Sequence, residues 1–227
     1  MAALRTYDGR RLERLIGISD AITAVAITLL AVPLIGLGLP EQGEPFDDYL
    51  AMKAGPIVAF VFTFLIVFGQ WRVHNRMLSD LVAYDTVVFW INAVWLASIA
   101  FLPWPSALAG EAWESGRVTA TGAGGPVALF YWVSLAIVIV MATAMRAYVL
   151  RHPHLVDPRH WADWDSSRAA VRLRSAVLII GFLACGIGWY FSMLAGLTCL
   201  VLTFVSMMVL GRLERGHEAR SGNATVT

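Results

Sequence analysis

Charge is scarce in this chain: Asp, Glu, Lys and Arg make up 15% of its 227 residues, against 58% apolar residues and a mean hydropathy of +0.67. A soluble domain carries about a quarter charged residues, so this composition excludes one and points to a polytopic membrane protein. Cysteine is nearly missing. Cys185 and Cys199 both sit inside apolar segments and read as small buried hydrophobes, which argues against a disulfide framework or a thiolate metal site. His152, His154, His160 and His217 have no carboxylate or cysteine at metal-ligand spacing, so no metal site is expected. Nor is there a Walker loop, G-x-S-x-G, H-E-x-x-H or dinucleotide fingerprint, which removes the soluble-type enzymes; no cofactor and no nucleic-acid partner is expected. A carbonyl filter of the T-V-G-Y-G type is missing too. Gly186-Ile187-Gly188-Trp189-Tyr190 comes nearest, without a pore helix and re-entrant loop around it. A cleavable signal is not expected either, since the first apolar run follows Arg5, Arg10, Arg11 and Arg14, is too long for a signal core and has no A-x-A site behind it.

What the chain does have is long apolar runs. A helix rising 1.5 Å per residue needs about 20 residues to cross a bilayer, and six segments qualify: Leu15 to Leu37, Leu50 to Trp71, Leu81 to Leu102, Val127 to Leu150, Val171 to Tyr190 and Phe191 to Leu213. The expected fold class is an all-α membrane protein of six spans. Pro103 and Pro105 are expected to stop the third span, and Gly186, Gly188 and the Trp189–Tyr190 pair to separate the fifth from the sixth. Six spans put both termini on one side. The arginines fall at the termini and in the even-numbered loops, apart from Arg117, which with Lys53 lies on the other face, so the positive-inside rule puts both termini in the cytoplasm of a cell membrane. Residues 1–13 read as a cytoplasmic segment, 14–213 as the six-helix domain and 214–227 as a disordered tail. Residues 151–170 read as a cytoplasmic loop with an interfacial helix holding Trp161 and Trp164 at headgroup depth.

The first span carries an anomaly. Arg14, Ser19 and Asp20 run straight into apolar sequence, and an ionised group in hydrocarbon costs a few kcal/mol at least, so Asp20 must face protein or water. Arg14 and Asp20 are six residues apart, about 120° round a helix, and cannot pair with each other. Partners are expected from the same membrane face: His74, Asn75, Arg76, Asp80 or Asp85, with Asn92 one face-repeat beyond Asp85 as interhelical glue. His74 is either a proton-sensitive element or a structural hydrogen-bonded histidine. Above them Val25, Thr28, Leu29 and Val32 recur at i, i+3, i+4 and i+7, a stripe that suits a pore wall or a helix interface equally.

Arg14 followed by Ile18-Ser19-Asp20 resembles the R-x-x-x-F-S-D signature opening the first helix of the transmembrane-protein-175 family, potassium-permeable channels of lysosomes and their prokaryotic relatives. Trp71-Arg72-Val73-His74-Asn75-Arg76 is similar to that family's end of the second helix, and Asp85 to Pro105, with Asn92 and F-L-P-W-P-S-A-L, to its third. Ile18 replaces the signature phenylalanine. The resemblance implies a homotetramer with the first helix of each copy around a central pore that passes potassium over sodium. Val25, Thr28, Leu29 and Val32 would make its hydrophobic constriction. Arg14, Ser19, Asp20 and His74 would form a polar network, which Asp85 and Asn92 join on the residue reading. The rival from the residues is a proton-coupled secondary transporter with Asp20 and His74 as relay groups.

Overall fold

The computed structural model describes residues 6–114 and 124–224. In chain order it holds β1 (Thr6–Asp8), α1 (Arg10–Leu29), α2 (Val32–Ile35), α3 (Phe46–Met52), α4 (Ala54–Ser79), β2 (Ala83–Asp85), α5 (Thr86–Phe101), α6 (Pro103–Glu114), α7 (Gly124–Val149), α8 (Pro158–Ser166), α9 (Arg168–Phe191) and α10 (Met193–Ala224). Six helical stretches are long and apolar enough to cross a membrane: Arg10–Ile35, Ala54–Ser79, Thr86–Trp113, Gly125–Val149, Arg168–Phe191 and Met193–Arg212. The fold is thus all-α and six-span. Arg5 and Arg117 lie outside the described residues, as do 225–227. The backbone is helical as far as Ala224, where a tail was expected from 214.

Several boundaries differ from the sequence reading, each for a local reason. α5 ends at Phe101, directly before Pro103 as expected, but the apolar stretch runs on through α6 to Trp113 instead of stopping at Pro103 and Pro105. They occupy the first turn of α6, where a missing N–H costs nothing, and Ser106 N–H reaches back to the Leu102 carbonyl at 3.0 Å. The first span breaks at Leu30–Ala31, because Pro33 has no N–H for the Leu29 carbonyl. The fifth and sixth spans part at Ser192, in extended geometry (φ −163°, ψ 150°), and its hydroxyl accepts the Ala195 N–H at 3.1 Å. The glycines proposed as the break stay helical and serve packing. A Cβ on Gly188 would stand 2.9 Å from the Gly196 nitrogen, and one on Gly196 would land on the Trp189 indole.

At one end of the bundle the connections knit together. β1 pairs antiparallel with β2, Thr6 opposite Asp85 and Asp8 opposite Ala83, while Val82 N–H bonds the Leu155 carbonyl and Asp157 N–H the Asp80 carbonyl, both at 2.9 Å. The N-terminal strand, the α4–α5 connection and the α7–α8 connection therefore share one face, as an even number of spans requires. Beneath them lies a small core of Leu12, Met77, Leu78, Val88, Met145 and Leu155; a larger one around Trp95, Ile99, Leu135 and Phe182 fills the bundle. Trp164, read from the sequence as an interfacial residue, is buried in the smaller core. Its Nε1–H donates to Asp80 at 2.9 Å, and the Arg146 guanidinium lies 4.5 Å from its ring centre.

Candidate functional site

Ser19, Asp20 and Thr23 of α1 sit on the face turned toward α4 and α5. Ser19 and Thr23 are buried there; the Ser19 hydroxyl donates to the Leu15 carbonyl at 2.7 Å and the Thr23 hydroxyl to the Ser19 carbonyl at 2.8 Å. Such back-bonding satisfies a hydroxyl inside an apolar bundle without an outside partner. It also leaves the Ser19 oxygen free to accept, which it does from the Asn92 amide of α5 at 3.0 Å. The amide oxygen of Asn92 in turn accepts from His74 Nε2 of α4 at 2.8 Å, so the His74 proton is on Nε2. The His74 ring lies flat on Trp95, centroids 3.7 Å apart and planes within 2°. His74 and Asn92 are both buried. Three helices are thereby tied through one chain of hydrogen bonds, Ser19 to Asn92 to His74.

Asp20, one residue on, faces a different set of donors. Its Oδ1 accepts from Trp71 Nε1 at 2.8 Å and from the Asn75 amide at 3.0 Å, both on α4. A carboxylate held by two neutral donors is what the desolvation argument demanded, met by amide and indole groups. Trp71 was missed as a site residue. Its spacing of four from Asn75, which puts both on one helical face, is the signal that could have found it.

Two expected members are not brought in. Arg14 is exposed and takes no part in this network among the described residues, being on another face of α1. Asp85 points into its own helix end: Oδ1 accepts from the Val87 and Val88 N–H groups at 3.0 and 2.9 Å as the N-cap of α5, and Oδ2 accepts the Tyr148 hydroxyl at 2.6 Å. Asn75 proved to be a partner where Arg76 and Asp80 did not. A second buried cluster, unforeseen, lies toward the other end of the bundle, where Thr63 shares hydrogen bonds with Tyr131 (2.7 Å) and Ser106 (3.0 Å).

Opposite the pinned face of α1, the stripe is uncovered. Val25 is 58% exposed, Leu29 45% and Val32 52%, and the exposed Thr28 turns its hydroxyl back to the Val25 carbonyl at 2.8 Å. Val32 belongs to α2, beyond the break. No group of three or more His, Cys, Asp or Glu side chains able to hold a metal occurs among the described residues.

Fold and site define a six-span helical membrane protein whose first helix is held by its polar face and bare on its apolar one. Residues 14–103 match the family described as the endosomal/lysosomal potassium channel TMEM175. The chain is 28% identical over 169 residues to a potassium channel of Streptomyces collinus, covering 72% of this chain and 75% of that one. It is 29% identical over 149 residues to the endosomal/lysosomal proton channel TMEM175 of Gallus gallus and 28% over 147 residues to that of Homo sapiens. Those matches span 64% and 65% of this chain but only 27% of each animal protein. The crystal structure of a lysosomal potassium-selective channel TMEM175 homolog from Chamaesiphon minutus superposes with a TM-score of 0.67 at 19% identity, over 89% of this chain and 99% of that one. Residues 14–103 thus resemble the TMEM175 family, in a chain sharing the fold of the Chamaesiphon channel along nearly its whole length.

Proposed function

We propose that the chain is one subunit of a potassium-permeable cation channel, passing potassium over sodium, in which four copies set α1 and α2 around a central axis. The carrying observation is the two-sidedness of the first span. Ser19 and Asp20 are consumed by contacts to α4 and α5, whereas Val25, Thr28, Leu29 and Val32 are left exposed. An apolar ring of this kind admits an ion only when water is stripped or when the ring widens, so selection is by dehydration and not by backbone carbonyls. Potassium holds its water less tightly than sodium, which gives the preference its direction. The arginines grouped with the termini and the β1–β2 face support a cytoplasmic placement of that end in the cell membrane.

The test is reversal potential under asymmetric potassium and sodium, with purified protein in a planar bilayer. The expected result is a current reversing toward the potassium Nernst potential, with ion preference altered in Val25→Asp and Leu29→Asp. No cation current, or currents and preference unchanged in both variants, would overturn the reading. A proton-coupled secondary transporter with Asp20 and His74 as relay groups is the second reading, and the similar animal proteins are proton channels. The separate partner sets of the two residues weigh against a relay, since Asp20 is held by Trp71 and Asn75 and His74 by Asn92. Flux that saturates with substrate and follows a pH gradient would favour it.

A further inference from the structure

A cavity of about 160 Å³ lies inside the subunit, where α4, α6, α7, α9 and α10 meet in the half of the bundle away from β1 and β2. Its shape follows from small residues set against rings that cannot collapse. Ala109, Ala112 and Ala128 line it opposite Trp113, Trp132 and Trp189, and the rings are fixed by one another, Trp113 to Trp189 at 6.0 Å and Trp132 to Phe182 at 5.4 Å. A void between such plates forfeits dispersion contacts on every side, so filling it is favourable. Water is a poor filler. The Tyr131 hydroxyl is already engaged by Thr63 at 2.7 Å, which leaves the buried, unpartnered Trp189 indole N–H as a single donor where a buried water needs two to four polar partners. A dry apolar cavity of about 150 Å³ in another protein takes up benzene, which sets the scale of what fits.

The lining residues that reach the surface say where the filler comes from. Val58 of α4 and Leu197 of α10 are exposed, while the others are buried or half-buried. Each stands four residues inside a membrane span, about 6 Å from its helix start at 1.5 Å per residue, and both starts are at the end opposite the termini. The opening therefore faces hydrocarbon, just below the headgroups of that leaflet.

We propose that this cavity is a lipid site, filled by one acyl chain of a phospholipid from the leaflet opposite the termini, entering between Val58 and Leu197. It stands independently of which ion the protein conducts. Full-length protein is reconstituted in phosphatidylcholine bilayers doped with a phospholipid carrying a diazirine on one acyl chain, photolysed, and mapped by mass spectrometry. Adducts are expected on the interior segments 109–113 and 128–132. Ala128→Leu, which fills the cavity, should cut interior labelling at least tenfold and leave adducts on the outward-facing Ile180 and Leu194 unchanged. Wild-type labelling confined to Val58, Leu197 and the outer surface would overturn the proposal with no variant needed. Interior labelling undiminished in a well-folded Ala128→Leu, or in Ala112→Val should the first variant fail to fold, would overturn it too.

Discussion

Asn92 is the residue on which the most depends, because it both donates to Ser19 and accepts from His74. Asn92→Ala leaves the His74 Nε2–H buried against Trp95 without an acceptor, a loss of about 1–3 kcal/mol for an orphaned polar group. Thermal unfolding in detergent should show a clear drop in melting temperature; an unchanged value would mean the chain of hydrogen bonds is decorative. Trp71→Phe removes one donor of two from Asp20 and should cost less, about 0.6–2 kcal/mol for a hydrogen bond between membrane helices. Outside the spans, Asp157 caps α8 and pairs with Arg159, whose side chain holds the carboxyl down at about 2. A depressed carboxylate stabilises the fold above its unfolded value and loses that contribution only as pH falls through the folded one, so this cap persists through mild acid. With Arg159→Ala, the Asp157 carboxyl should titrate closer to its ordinary 3.8, as read by carbon-detected NMR. Aspartates look alike in a sequence. Asp20, Asp85 and Asp157 became an interhelical acceptor and two helix caps only through partners supplied by the surrounding backbone and side chains.

Among elements, β1 is the least expected and the easiest to test. Three residues before the first span pair with the strand leading into Asp85, and Asp85 both caps α5 and receives Tyr148 from a residue 63 positions away. Deleting residues 2–8 should loosen β2 without unfolding the bundle, seen as faster hydrogen exchange at 81–85 with little change at 95–102; equal exchange in both segments would discount the strand. The α9–α10 hairpin depends on close approach. Gly196→Val should drive the Trp189 indole out of its seat and lower the melting temperature by several degrees, the penalty for overpacking being about 1–3 kcal/mol. The hairpin was expected and only its break was misplaced, while the three residues of β1 are too few to show a periodicity. Proline and glycine mark a change of geometry without saying which, so Pro103 marked the end of α5 without showing that α6 carries the span on, and Gly188 in a helix contact looked like a turn. The burial of Trp164 was not legible either, since the composition of α8 does not say which of its faces meets protein.

For the whole molecule, the uncovered stripe of the first span makes assembly the quantity to measure. Native mass spectrometry of the purified protein should give four copies, each of 24.9 kDa, and a monomer would leave the stripe facing lipid and remove the pore. The apolar cavity and the exposed stripe of the first span lie on different helices, so the tests of the two proposals are separable.

The sequence by itself determined the class of molecule, because hydropathy is written one residue at a time and a bilayer imposes a fixed length on every apolar run. It also carried the family resemblance of the first three spans and the two-faced pattern of the first helix. Which polar residues meet was settled only by the tertiary structure, since hydrogen bonds need atoms within about 3 Å and sequence spacing constrains that only inside one helix. Asp20 took Asn75 from the expected partners and added Trp71, leaving Arg76 and Asp80 aside, and Asp85 left the expected network for its own helix cap, because helix rotation and depth, which no local pattern encodes, placed those donors first.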